Sequence, residues 1–344
     1  MNNKLLILGL IALTGAALFL STASSGQAQP SDLEAVETRF VAFKVQFDKH
    51  YASLAEMDYR LAVFQSNLQL IAAHNADATA TYTLGVNEFS DLTFEEFAAK
   101  YLRDDPEDNF QVGQDANSEL YFANSDDNEV DWVKAGIVGE VKNQLRCGSD
   151  WAFSAISVVE EAYALFKKVD IPDLSEQELV DCSGSYGNDG CQGGLSFQGL
   201  SYIREKGVNT GNDYRYNGVE QNCKADISGK GLAKIEKWTL VNGGPQNLIA
   251  ALRQQPTTAS LHVEIDFMNY SSGVYNPKFC KGNRNHSVNV VGFKLDAPVP
   301  YFLGRNSWGT SWGENGLFKI AIKEGNGTCW FNGERRSTFP TLLA

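Results

Sequence analysis

Near Pro256 the spacing of apolar residues changes period, and this switch limits the folds open to the chain more than any other feature. Upstream the spacing is helical: Phe40, Phe43 and Phe47 within 34–49, Leu61, Phe64, Leu68 and Ile71 within 56–75, and Trp151, Phe153, Ile156, Val159, Tyr163 and Phe166 within 151–169. Ser175 with Glu178 reads as a capping box opening a short helix, and 196–206 as another, closed by Gly207. Downstream, 258–265, 287–293, 301–306 and 316–322 carry alternating or continuous β-type runs. Helices first and strands later predict an α+β fold with the two kinds segregated, and a ligand cleft between the halves.

The N-terminus sets the compartment. Lys4 precedes an uncharged run of sixteen residues, Leu5 to Leu20, followed by a small and polar stretch, which predicts a secretory signal peptide over 1–28; cleavage after Ala23 fits as well as after Ala28. The run falls short of the roughly 20 residues a membrane span needs, so no span is expected once the signal is removed. In an oxidising compartment six cysteines, an even number, can form three disulfides. Between Asp104 and Asp131 stand ten Asp or Glu and no Lys, Arg or His, the composition of a solvated connector open to proteolytic nicking. With 29 basic and 42 acidic residues, a net charge of −13 and no basic run, the chain is not expected to bind nucleic acid or a polybasic-dependent membrane surface. The four histidines (50, 74, 262, 286) are scattered, so neither a metal site nor a cofactor is expected.

Three distant segments, 144–154, 285–293 and 306–316, hold residue types that build a nucleophilic acyl-transfer site. The runs Val141–Ser154 (VKNQLRCGSDWAFS), Gly190–Gly194 (GCQGG), Asn285–Phe293 (NHSVNVVGF) and Asn306–Gly316 (NSWGTSWGENG) resemble the signature blocks of papain-family cysteine peptidases. Upstream, Glu56, Arg60, Phe64, Asn67, Ile71 and Asn75 resemble the interspersed motif on the propeptide helix of cathepsin L-like zymogens, and Gly85, Asn87, Phe89 and Asp91 the motif that follows it. The resemblance covers about residues 35–340. It implies a papain-like two-lobed fold, a helical lobe and a β-barrel-like lobe with a cleft between them, over 126–344, behind an N-terminal helical inhibitory propeptide over 29–125. It further implies a lysosomal or extracellular protein whose cleft takes peptides or proteins and is covered by its own propeptide.

Carried over residue by residue, the resemblance makes Gln144 the oxyanion donor, His286 the proton-transfer group and Asn306 the residue orienting it. Trp308 shields that pair and borders the substrate, Gly193 and Gly194 offer the backbone edge that pairs with substrate, and Glu334 falls at the floor of the main specificity pocket. The implied disulfides are Cys147–Cys191, Cys182–Cys223 and Cys280–Cys329, which consume every thiol. Asp150 stands where the family's nucleophilic Cys is expected. A carboxylate attacking an amide would have to form a mixed anhydride, uphill of the bond consumed, so Asp150 is not expected to replace the thiolate. Its charge nevertheless suits a helix N-terminus beside a protonated His286. Leu145 and Arg146 follow Gln144 where the family has Gly, and a positive φ at Leu145 would cost on the order of 1 kcal/mol and disturb the oxyanion donor.

Of the three sequons, Asn269 and Asn326 are expected to be surface glycosylation sites, while Asn285, beside His286, is expected to be unmodified. The leading expectation is a zymogen-form homologue that has lost peptidase activity. Two alternatives stand beside it: an active cysteine-type endopeptidase, and an inhibitor or decoy that uses its propeptide against related active peptidases.

Overall fold

The computed structural model describes residues 30–104, 127–224, 226, 231, 233–331 and 337–343. The expected signal segment and most of the acidic connector therefore lie outside the described residues, as does Glu334. The chain divides into two compact units, Met1–Lys49 and His50–Ala344. The first carries helix α1 (Pro30–Gln46), on which the Phe40 and Phe43 rings, one turn apart, lie 6.1 Å from each other.

In chain order the second unit contains α2 (Leu54–Asn75), β1 (Tyr82–Leu84), α3 (Phe94–Tyr101), β2 (Glu129–Asp131), α4 (Asp150–Ala162), α5 (Glu176–Cys182), α6 (Ser196–Lys206), β3 (Ile235–Val241), α7 (Pro245–Leu252), β4 (Thr257–Leu261), α8 (Ile265–Met268), β5 (Tyr270–Tyr275), β6 (His286–Lys294), β7 (Tyr301–Arg305), β8 (Leu317–Ala321) and β9 (Ser337–Leu342). The larger sheet runs β1-β5-β8-β7-β6-β2, with β4 also pairing β6; β5 and β8 are parallel and the other pairs antiparallel. A second ladder joins β3 to β9. Two separate cores follow. One is built on the large sheet from residues such as Val290, Phe293, Phe302, Phe318 and Ile320. The other surrounds α4 and α6, with Trp151, Ala155, Val159, Leu200 and Ile203.

The residues between His50 and Asp104 are bound into the sheet core. β1 adds an antiparallel edge strand to β5, Asn87 Nδ2 donates to the Met268 carbonyl at 2.8 Å, and Phe89, Phe97 and Tyr101 are buried in the same core as Trp308 and Trp312. The interspersed motif has a physical reading. Ser53 caps α2 by accepting the Glu56 N–H while Glu56 reaches back to Ala52 N; Arg60 pairs with Glu96 at 2.7 Å and donates to the Asp91 carbonyl; Asn67 donates to the carbonyls of Ser90 and Leu92; and Asn75 bonds Leu84 through both its amide atoms. Glu56 thus closes the N-terminus of α2, Arg60, Asn67 and Asn75 pin the chain that follows α2 to the helix, and Phe64 and Ile71 are buried beside them.

The expected segregation of helices and strands holds for the main elements, with local differences. The helix expected over 151–169 ends at Ala162; a widened turn over Tyr163–Lys167 follows and closes at Lys168 in the left-handed region (φ 57°). Only half of the capping box at Ser175 forms. Ser175 Oγ accepts from Glu178 N at 3.0 Å, but the Glu178 carboxylate instead takes Tyr202 Oη (2.9 Å) and Asn209 N (2.8 Å). Strands β1, β2, β3, β5 and β9 and helices α3, α7 and α8 were not read from the sequence. α3 had a usable signal, since Thr93 and Glu96 make a complete capping box.

Candidate active site

The site lies where the two cores meet, at the N-terminus of α4 and the first residue of β6. α4 is buried almost all round, with twelve of its residues from Asp150 to Ala162 out of solvent, so its axis is fixed by packing on both sides. Asp150, in its first turn, is 5% exposed. Its Oδ2 accepts the backbone N–H of Ser287 at 2.5 Å and stands 3.4 Å from His286 Nδ1. Strand β6 is buried along nearly its whole length, and pairing of Leu261 with His286 holds the imidazole at the strand's start.

On the far side of the ring, His286 Nε2 lies 2.8 Å from Asn306 Oδ1. The same oxygen accepts Ser307 N–H at 2.8 Å, which makes it an acceptor and leaves the imidazole Nε2 as the donor. Asn306 follows β7, whose last residue, Arg305, is tied to α4 by an ion pair with Glu161 (3.1 Å) and to β6 through Asn289 Oδ1 (3.2 Å). Burial pushes the Glu161 carboxyl up to about 8, with Arg305 and Asn289 pulling it back. The Trp308 ring covers the pair at 4.6 Å from the imidazole and is itself fully buried against Phe89, Phe97 and Trp312.

Gln144 is held from both ends. Its Oε1 accepts from Ser307 Oγ (2.7 Å) and Trp308 Nε1 (3.1 Å), and its backbone N–H donates to the Ser307 carbonyl, so Nε2 has one available direction. That amide donates to the carbonyls of Cys147 and Tyr101, each at 3.0 Å. Leu145 adopts φ 55° and is 45% exposed, with its N–H turned back onto Asn143 Oδ1. The left-handed backbone is present, but Gln144 stays anchored; the displacement expected from a Leu here does not occur, because Ser307 and Trp308 fix the amide independently of the next residue. Arg146 hydrogen-bonds the Tyr101 hydroxyl, whose pKa burial raises to about 12.

Sequence reasoning did not identify the segment that occupies this cleft. Tyr101–Arg103 crosses it: Arg103 N donates to the Asn285 carbonyl at 3.1 Å, and its side chain lies over Gly148 and Gly193, where an added Cβ would approach Arg103 to 2.7 and 3.1 Å. Gly193, with φ 121°, lies under the Arg103 side chain, and at Gly194 an added Cβ would run into the Trp151 ring, so that position needs glycine for its close approach to α4. Tyr216 was also missed; its hydroxyl donates to the Gln144 carbonyl (2.6 Å) and lies 2.7 Å from Ser149 Oγ, bracing the loop that precedes α4. No local sequence pattern marks it.

All six cysteines are paired, Cys147–Cys191, Cys182–Cys223 and Cys280–Cys329. One glycosylation expectation is corrected. Asn269 is fully buried with its amide donating to the Ile265 carbonyl at 2.9 Å, because it closes the turn between α8 and β5 and leaves no room for a glycan. Asn326 is exposed, and Asn285 is buried with its Oδ1 accepting Val263 N. Among the described residues no cluster of three or more His, Cys, Asp or Glu could hold a metal ion, and no helix is long and apolar enough to cross a membrane.

The family model for papain family cysteine proteases matches residues 127–338, and that for the cathepsin propeptide inhibitor domain matches residues 40–97. The chain belongs to the papain family of cysteine proteases. It is a cathepsin L-like member in zymogen form, and its two-core architecture is the papain-like fold. A cathepsin L-like proteinase of Fasciola hepatica is 38% identical over 296 residues, 83% of this chain and 88% of the relative. Pro-cathepsin H of Bos taurus is 34% identical over 324 residues, covering 92% and 94%. Among solved structures, digestive procathepsin L 3 of Tenebrio molitor superposes with a TM-score of 0.80 at 31% identity, covering 89% of this chain and 99% of that one. The papain-family chain thus presents a positioned imidazole, a fixed amide donor and a carboxylate at the helix N-terminus, with the Tyr101–Arg103 backbone bonded to Gln144 and Asn285 beside them.

Proposed function

We propose that this papain-family zymogen homologue has Asp150 at the nucleophile position and does not hydrolyse peptides. One observation carries the reading: the first residue of α4, 3.4 Å from the imidazole that would deprotonate a thiol, is a carboxylate, while every cysteine is in a disulfide. A carboxylate here accepts the Ser287 N–H and can pair with a protonated imidazole, which keeps the cleft intact without supplying a nucleophile that an amide can acylate, since the mixed anhydride lies uphill of the amide. Loss of such a nucleophile costs about 10⁶ in kcat. The fixed Gln144 amide and the His286–Asn306 pair support retention of a cleft for peptide or protein ligands. Passage through the secretory pathway to a lysosome or the exterior fits the three disulfides and the uncharged N-terminal run.

The test is hydrolysis of a fluorogenic Phe-Arg dipeptide at pH 5–6 by propeptide-free protein and its Asp150→Cys variant. Cleavage by the variant alone is expected. Comparable cleavage by the unaltered protein would overturn the reading and restore the alternative of an active peptidase.

A second reading, an inhibitor of related active peptidases, draws on the Tyr101–Arg103 segment seated in the cleft with Gln144 donating to the Tyr101 carbonyl. A chain that cannot cut itself depends on another protease to release this segment. Nanomolar inhibition in trans of a related active peptidase by the released propeptide is the expected result. No inhibition at micromolar concentration would dismiss it.

A further inference from the structure

A cavity of about 700 Å³ lies beside α4, away from the cleft, between the 138–143 segment and the loops 171–173 and 211–216. It shares no residue with the Asp150, His286, Asn306 and Gln144 constellation. Its size is that of sites for small organic molecules. Lys142 sits in its wall with its ammonium 2.8 Å from each of three carboxylates, Glu160, Asp173 and Glu176. The three N–H donors of one lysine are therefore fully used by three carboxylates, of which Glu160 also feels the Arg305 guanidinium. Glu140 adds a fourth carboxylate, and Arg215 stands at the exposed rim, so the walls carry an excess of negative charge. Burial holds the Glu160 and Glu176 carboxyls above their ordinary range, Glu176 at about 7, with Lys142 pulling the other way. Phe153 and Tyr216, packed edge to face at 4.9 Å, supply an aromatic wall on which a flat or aliphatic body can rest.

We propose that this cavity is a second binding site, for a small organic cation in which an amine, amidine or guanidine is attached to an apolar body. The cation meets Asp173 and Glu176, and the body meets Phe153 and Tyr216. Because the Tyr216 hydroxyl also holds the Gln144 carbonyl and Ser149 Oγ, an occupant there leans on the loop that shapes the cleft. The site goes beyond the reading of the cleft as catalytically silent and stands whether or not that reading holds.

Benzamidine is the probe, titrated calorimetrically into the full-length zymogen at low salt and pH 8. Saturable binding of one equivalent is expected. Asp173→Lys, which reverses the charge of a group 64% exposed at its side chain, should weaken it about tenfold or more. Asn212→Trp, on the exposed rim, should block entry without touching the Lys142 cluster, which guards against misfolding of the first variant. Glu324→Lys, a charge reversal outside the cavity, should leave affinity within about twofold. Absence of saturable binding to about 10 mM, or equal weakening by Glu324→Lys, overturns the proposal.

Discussion

Replacing Asp150 separates its acceptor role from its charge. In Asp150→Ala the Ser287 N–H loses its acceptor in a site where the Asp150 side chain is 8% exposed and Arg103 covers the cleft, so water has little access. An unsatisfied buried donor costs about 1–3 kcal/mol. Loss of a negative charge in the first turn of α4 adds about 0.3–1 kcal/mol. Asp150→Ala should therefore lose about 1.5–4 kcal/mol, a Tm drop of roughly 3–16 °C for a domain of this class. Asp150→Asn keeps an oxygen that can accept the Ser287 N–H and should lose about 1 kcal/mol or less. Urea unfolding of the zymogen variants, followed by tryptophan fluorescence, gives both numbers. An Asp150→Ala protein as stable as the parent, or an Asn variant as damaged as the Ala variant, would refute the claim that the carboxylate is a built-in structural element rather than a tolerated change.

Other expectations follow from the same contacts. Burial raises Glu161 to about 8 and Glu176 to about 7 from an unfolded value near 4.5, so between those limits the native state binds more protons than the unfolded one. Their contribution is full below about 4.5 and fades as pH climbs through 7–8, and urea midpoints should fall between pH 5.5 and 8.5; a rising midpoint would contradict the assignment. Asn87→Ala, which removes the amide donated to Met268 and the acceptor for Phe89 N, should cost about 1–3 kcal/mol and expose 50–104 to limited proteolysis before the rest of the chain. At Leu145, with φ 55°, Leu145→Ile should lose about 1–2 kcal/mol and Leu145→Asn should match or exceed the parent, since β-branching is disfavoured in left-handed backbone and Asn tolerates it. Equal stabilities by chemical denaturation would mean that the strain is absent.

Sequence periodicity carried the main helices and sheet strands because each buries a continuous face. β6 is buried at nearly every position and carries Val288, Val290, Val291 and Phe293, and α2 repeats its buried residues at helical spacing through Phe64, Leu68 and Ile71. The short strands β1 and β2 are three residues long and exist only because β5 and β6 present free edges, which no local pattern announces. The same division holds at the site. Gln144, His286 and Asn306 could be read from their flanking motifs, but Tyr216 acts through one hydroxyl reaching a carbonyl 72 residues away. Asn269 was misplaced because a sequon reports only what a glycosylation enzyme can recognise in an extended chain. Its burial is decided by the turn between α8 and β5.

The silence proposed for this cleft has two independent sources, and they predict a specific pattern of failure. The first is chemical: acylation of Asp150 by an amide would form a mixed anhydride, uphill of the bond consumed. The second is positional. The Tyr101 carbonyl takes the Gln144 amide and Arg103 N takes the Asn285 carbonyl, so the groups that would hold a substrate are already engaged. Removing the propeptide from the parent protein lifts only the second block, and Asp150→Cys in the intact zymogen lifts only the first. Neither change alone should give measurable cleavage of the Phe-Arg reporter, while the two together should raise it by many orders of magnitude, a non-additivity expected when two elements gate one reaction. Activity in the propeptide-free parent would locate catalysis in Asp150 itself, and activity in the uncleaved Asp150→Cys zymogen would show that the Tyr101–Arg103 segment vacates the cleft on its own. Each outcome removes one block and leaves the other standing, which is why the two must be tested in separate proteins before they are combined.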